Sequence, residues 1–229
     1  MSTHTFISPE DANSAKRLLR WVENYLTQEH DNVHRPYLSQ TICPFAAASV
    51  KRNSLYMVFH NEFDGRDAAA IANQILHYVD PFKEAEPVSP KSSTLKALLI
   101  VFPNIAARFA TVLDTCHRML RPKMAESGLM IGQFHPKCRE RAIHNHGWNA
   151  VSRSPIPFMA LRNMTIHDVI FLGDNSKTFR SYNKRFGGQF ADGASSLCEY
   201  HRNLIPFYER AKLKHSSTNN SARKPQEFE

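Results

Sequence analysis

The sequence predicts an α/β layered fold: a sheet of about four strands covered by helices. Three observations carry this. Ala97–Phe102 is a continuous apolar run too short for a helix, which marks a strand buried on both faces. Leu55–Phe59 and Leu129–Phe134 are further short, strand-length runs. Between these runs lie segments whose apolar residues recur at helical spacing, so helices and strands alternate along the chain.

Ser8-Pro9-Glu10-Asp11 reads as a helix start, with serine at the cap, proline in the first position and acids in the first turn. Leu18, Leu19, Val22, Tyr25 and Leu26 then predict an amphipathic helix over 9–29. A polar loop leads to Ile42-Cys43-Pro44-Phe45 and the strand Leu55–Phe59. Asp67–Tyr78 is a helix with Ala68, Ile71, Ala72, Ile75 and Leu76 on one face. Residues 80–94 hold three prolines among serines and lysines, the composition of a surface loop. The strand Ala97–Phe102, a helix from Ile105 to Leu120 ended by Arg121-Pro122, and the strand Leu129–Phe134 follow. A fourth strand is expected at Phe158–Met164, a short helix capped by Thr165, and helices over 174–186 and 195–212. The expected organisation is a single domain over 1–214 and a disordered, basic and polar tail over 215–229.

Composition narrows the class. The chain has 229 residues, 42% of them hydrophobic, enough for one substantial core. No apolar run is long enough for a membrane helix, and no secretory leader is visible near the N-terminus. Cys43, Cys116, Cys138 and Cys198 are scattered, as expected for reduced thiols of a cytoplasmic protein. The net charge of +8 is spread out and accompanies no nucleic-acid module, so steering of an anionic small molecule accounts for it as well as nucleic acid does.

The densest chemistry lies in residues 133–157, QFHPKCRERAIHNHGWNAVSRSPIP. His135 ends a strand directly before Pro136. Ligands of open α/β sheets collect beyond strand ends, so His135 is the candidate metal ligand or catalytic group. His144 and His146 would point to one side of an extended segment. With His135 and Cys138 they offer a second donor set for a metal. Arg139 and Arg153 are candidate clamps for a carboxylate or propionate, and Arg153, fixed by Ser154-Pro155-Ile156-Pro157, is the candidate catalytic residue. Cys43 in Cys43-Pro44-Phe45 is either a thiolate ligand or a small buried hydrophobe. No serine-nucleophile elbow or dinucleotide fingerprint is present.

Three blocks occur in a recognisable order: ICPFA (42–46), QFHP (133–136) and SRSPIPFMALR (152–162). Together they resemble a group of small bacterial proteins carrying CPFA, FHP and RSPxP. More distantly, the layout is similar to small haem-dependent N-oxygenases, which act on guanidine and amine groups in natural-product pathways. That resemblance implies a haem b monooxygenase that N-hydroxylates an amino-acid-like substrate with an electron donor as partner. His135 would be the axial ligand, with His144, His146 and Cys43 as rivals. Arg139 and Arg153 would hold propionates or substrate, and Phe45, Phe134 and Trp148 would wall the macrocycle. Two other readings stay open: a non-enzymatic binding protein that uses the histidine loop for recognition, and a non-haem metal enzyme on His135, His144 and His146. A homo-oligomer is compatible with all of them.

Overall fold

A computed structural model describes residues 8–30, 41–85, 94–143, 145, 147–148, 151–191 and 199–221. The first helix, α1 (Pro9–Trp21), begins as its sequence dictates: the Ser8 hydroxyl oxygen accepts from the Asp11 amide at 3.0 Å. Its apolar stripe ends in a π-helical turn over Val22–Leu26. A short helix α2 (Ala46–Lys51) precedes strand β1 (Leu55–Phe59). Helix α3 (Ala68–Leu76) is capped by Asp67, whose carboxylate accepts from the amides of Ala69 and Ala70. Next come α4 (Val79–Glu84), β2 (Ala97–Val101), α5 (Val112–Glu126), β3 (Leu129–Phe134) and β4 (Phe158–Asn163).

The four strands form one mixed sheet in the order β1-β2-β4-β3. β1 and β2 are parallel, and β4 runs antiparallel to both of its neighbours. The register aligns Phe59, Val101, Phe158 and Phe134 in one row across the sheet. The residues just beyond that row therefore share one end of the sheet. The α/β architecture read from the sequence is the observed one.

Both faces of the sheet are covered. Leu98, Ile100, Ile131, Met159 and Leu161 pack with Ile71 and Ile75 of α3 and with Leu113, Cys116 and Leu120 of α5. On the other face Leu99, Val101 and Phe158 pack with Leu18 of α1, joined by Phe134 and Trp21. This explains why ALLIVF lacks alternation: neither face of β2 meets water.

Several boundaries differ from the sequence expectation, each for a physical reason. α5 starts at Val112, not Ile105, because residues 103–111 are turns. It runs through Pro122 to Glu126, since Met124 and Ala125 are each 1% exposed and their burial outweighs one missing amide donor. The segment expected as a loop from residue 80 opens with α4. Its last carbonyls, those of Phe82 and Ala85, accept from the buried Lys96 ammonium, which also lies 4.5 Å from the Phe82 ring centroid.

The chain divides into two compact units, Met1–Asn163 and Met164–Glu229. In the second, a single 3-10 turn (Ile166–Asp168) leads to α6 (Val169–Leu172), α7 (Ser176–Ala191), α8 (Glu199–Arg202) and α9 (Ile205–Ser221). Its core is aromatic: Tyr182 is fully buried, donates to the Ile166 carbonyl at 2.6 Å, and neighbours Phe179, Phe186 and Phe190. Part of the expected tail is thus helical, to Ser221; residues 222–229 lie outside those described.

Candidate functional site

Strand parity decides where His135 points. Ile131 faces the α5 side and Phe134 the α1 side, so Gln133 and His135 continue the α5 face. The His135 ring is completely buried, and its Nε2 lies 2.9 Å from Oδ1 of Asp114 in the first turn of α5. The Asp114 side chain keeps 31% of its surface exposed. The other ring nitrogen, Nδ1, is buried with no hydrogen-bond partner among the described residues. Such an orphan costs on the order of 1–3 kcal/mol.

A turn brings the third group in. The amide of Cys138 donates to the His135 carbonyl at 3.0 Å, closing His135-Pro136-Lys137-Cys138 with proline in the position turns favour. The thiol folds back beneath the histidine, fully buried. One donor atom from each of Asp114, His135 and Cys138 lies within 4.8 Å of the others. Burial pushes the Cys138 thiol up to about 11, against backbone hydrogen bonds from Glu140 and Arg139 that favour the thiolate. Amides aimed at sulfur are the surroundings a metal-bound thiolate needs.

The support around this trio is polar and directional. Buried Gln133 donates from Nε2 to Glu140 at 3.1 Å, and Arg153 donates from Nε to the Cys138 carbonyl at 3.2 Å. One turn after Asp114, burial and then the Arg121 charge push His117 down to about 4, against a hydrogen bond to the backbone of Ile131. His117 is therefore neutral near pH 7.

The residues singled out in the sequence separate into two groups. His135 and Cys138 come together, and Arg153 braces their turn. Cys43, Phe134 and Trp148 gather instead in an apolar cluster with Val22, Leu26 and Ile42, on the side of the sheet that carries α1. There Trp148 stacks on His30 with centroids 4.5 Å apart. The Arg162 guanidinium lies 5.3 Å from the Phe45 ring centroid. Arg139 is exposed, and His144 and His146 lie outside the described residues.

These placements do not fit a haem on His135. Its Nε2 is held by Asp114 and its Nδ1 has no open surface. Phe134 and Trp148, expected to wall the macrocycle, pack on the opposite face of the sheet. The trio fits a single small ion better: a thiolate, an imidazole and a carboxylate suit zinc or iron(II) rather than magnesium or calcium.

Asp114 was not singled out by the sequence reading. Its signal was available: Leu113, Cys116, Leu120 and Met124 form the buried stripe of α5, and Asp114 and His117 are polar intrusions beside it.

A family model described as a domain of unknown function, DUF6875, matches residues 15–196, and the chain belongs to that family. No curated protein and no solved structure matches the chain.

Proposed function

We propose that this member of the DUF6875 family is a non-haem metalloenzyme that holds one first-row divalent ion on Asp114, His135 and Cys138. The observation that carries the reading is the grouping of a carboxylate, an imidazole and a thiol, each offering one donor atom within 4.8 Å of the other two. A metal ion among them would replace the hydrogen between His135 Nε2 and Asp114 and displace the thiol proton.

Three protein donors leave a coordination position for water, the pattern of catalytic rather than structural zinc. His135 and Cys138 are sealed, and of the three donors Asp114 is the one with solvent access. The chemistry an ion held by these residues would supply is a water of lowered pKa, a nucleophile near neutral pH. The reaction class is therefore hydrolysis. Gln133, Glu140 and Arg153 hold the turn that carries the thiolate.

Elemental analysis and an absorption spectrum of the purified protein test this. The expected result is about one equivalent of zinc or iron per chain without a Soret band. Cobalt(II) should replace that metal and give a thiolate charge-transfer band that Cys138→Ser removes. A Soret band would restore the haem oxygenase reading. A protein that binds neither the native ion nor cobalt would leave the non-enzymatic binding reading.

A further inference from the structure

A second histidine stands at the same end of the sheet. His60 directly follows β1, and its amide donates to the Val101 carbonyl at 2.9 Å. By parity it points to the face that carries α3 and α5, as His135 does: Val58 packs there, while Leu55, Met57 and Phe59 pack on the other face. The residue is 8% exposed.

Its neighbours form a chain of hydrogen-bonding groups. Glu62 Oε1 lies 2.6 Å from His60 Nδ1, and the Tyr78 hydroxyl lies 2.8 Å from His60 Nε2. The carboxylate fixes the proton on Nδ1, so Nε2 presents its lone pair to the phenol. Gln74 Nε2 is 3.4 Å from the same ring nitrogen, and its side chain also bonds the phenol. Phe63 and Phe102 enclose the imidazole, with Phe102 stacked at 5.9 Å.

We propose that Glu62, His60 and Tyr78 form a second catalytic array, which transfers an acyl group from a neutral activated ester to Tyr78 Oη. A nucleophile within hydrogen-bond reach of a base, itself oriented by a third group, is the arrangement of covalent catalysis. Burial raises the Tyr78 phenol above its usual range, so its attack requires a base. The Glu62 carboxylate and the rings of Phe63 and Phe102 around His60 disfavour an anion, so a neutral ester suits the site better than a phosphate.

The step balances. Tyr78 Oη bonds to the ester carbonyl carbon, and its proton passes to His60 Nε2. The carbonyl–oxygen bond to the alcohol or phenol then breaks, and the leaving oxygen takes that proton from His60. The products are an O-acyl tyrosine and the free alcohol or phenol.

Treating the full chain with 4-nitrophenyl acetate and mapping O-acetyl tyrosines by peptide mass spectrometry tests this. Tyr56, more exposed at 38%, is the internal reference. Tyr78 should acetylate about a hundredfold faster than Tyr56. His60→Gln should abolish that advantage, and Glu62→Gln should reduce it about tenfold. The Glu62 side chain is 59% exposed, so this variant decides the matter where His60→Gln fails to fold. Equal rates at Tyr78 and Tyr56 overturn the proposal. So does an undiminished advantage in whichever variant keeps the wild-type melting temperature.

Discussion

His135 and His60 occupy matching positions and meet opposite chemistry. Each follows the last residue of an outer strand, at the same end and on the same face of the sheet. Three strand spacings separate their mounts, roughly 14 Å. His60 has both ring nitrogens engaged, one by Glu62 and one by Tyr78. His135 has one nitrogen on Asp114 and one with no partner among the described residues. The mount alone therefore does not set the chemistry. At His60 a carboxylate and a phenol flank the ring, whereas at His135 the ring joins a carboxylate and a buried thiol, a donor set that suits a metal ion.

The largest expected effect separates the two histidines directly. His135→Ala should weaken cobalt(II) binding by on the order of a hundredfold or more, beyond the usual range for residues that only support a ligand. His60→Gln should leave it within about threefold, because the separation rules out a shared ion. Titration followed at the charge-transfer band measures both. Equal losses in the two variants would sink the distinction between the sites.

Linkage sharpens the same contrast. An ion that binds only the folded state at a hundred times its dissociation constant adds about 2.7 kcal/mol of stability. Zinc should therefore raise the melting temperature of metal-stripped wild type and of His60→Gln, and leave that of His135→Ala where it was.

What the sequence disclosed about these two places follows from the range of the interactions. The strands and the His135 mount are local: apolar runs mark β2 and β3, and proline follows the histidine. The Cys138 thiol was legible as a donor near His135, because a His-Pro-Lys-Cys turn is also local. Asp114 was not, since its pairing with His135 depends on α5 crossing β3, twenty-one residues apart in sequence. Phe134 and Trp148 were grouped with His135 because they are its neighbours in sequence. A one-residue step along a strand puts Phe134 and His135 on opposite faces, and that parity separates the two groups. His60 was passed over although it also follows a strand, because Tyr78 lies eighteen residues away in sequence and joins it only in the fold.

Acid should distinguish the surroundings of the two sites in metal-free protein. His117, one turn from Asp114, is held near 4 in the folded chain against about 6.5 unfolded. The depressed value means that the unfolded state takes up the proton first as pH falls. Its contribution is complete above about 6.5 and is lost between there and about 4, at no more than about 1.4 kcal/mol per pH unit. Denaturant unfolding across that window should show the loss in wild type and in His60→Gln, and a flatter profile in His117→Phe. An unchanged slope in His117→Phe would assign the acid sensitivity to other groups.

The smallest effect concerns the brace rather than the donors. Arg153 was expected to act on substrate or propionate, but its Nε donates to the Cys138 carbonyl, which fixes the turn that presents the thiol. Removing a group that only orients a ligand costs about ten- to a hundredfold in metal affinity, and the exposure of this side chain puts it at the low end. Arg153→Ala should therefore weaken cobalt(II) binding about tenfold while leaving the wavelength of the charge-transfer band unchanged, because the donor set is intact. Arg153→Lys, which keeps a donor on a flexible stem, should recover part of that loss. A shifted band in Arg153→Ala would mean that the arginine changes which atoms bind the ion and does more than hold the turn.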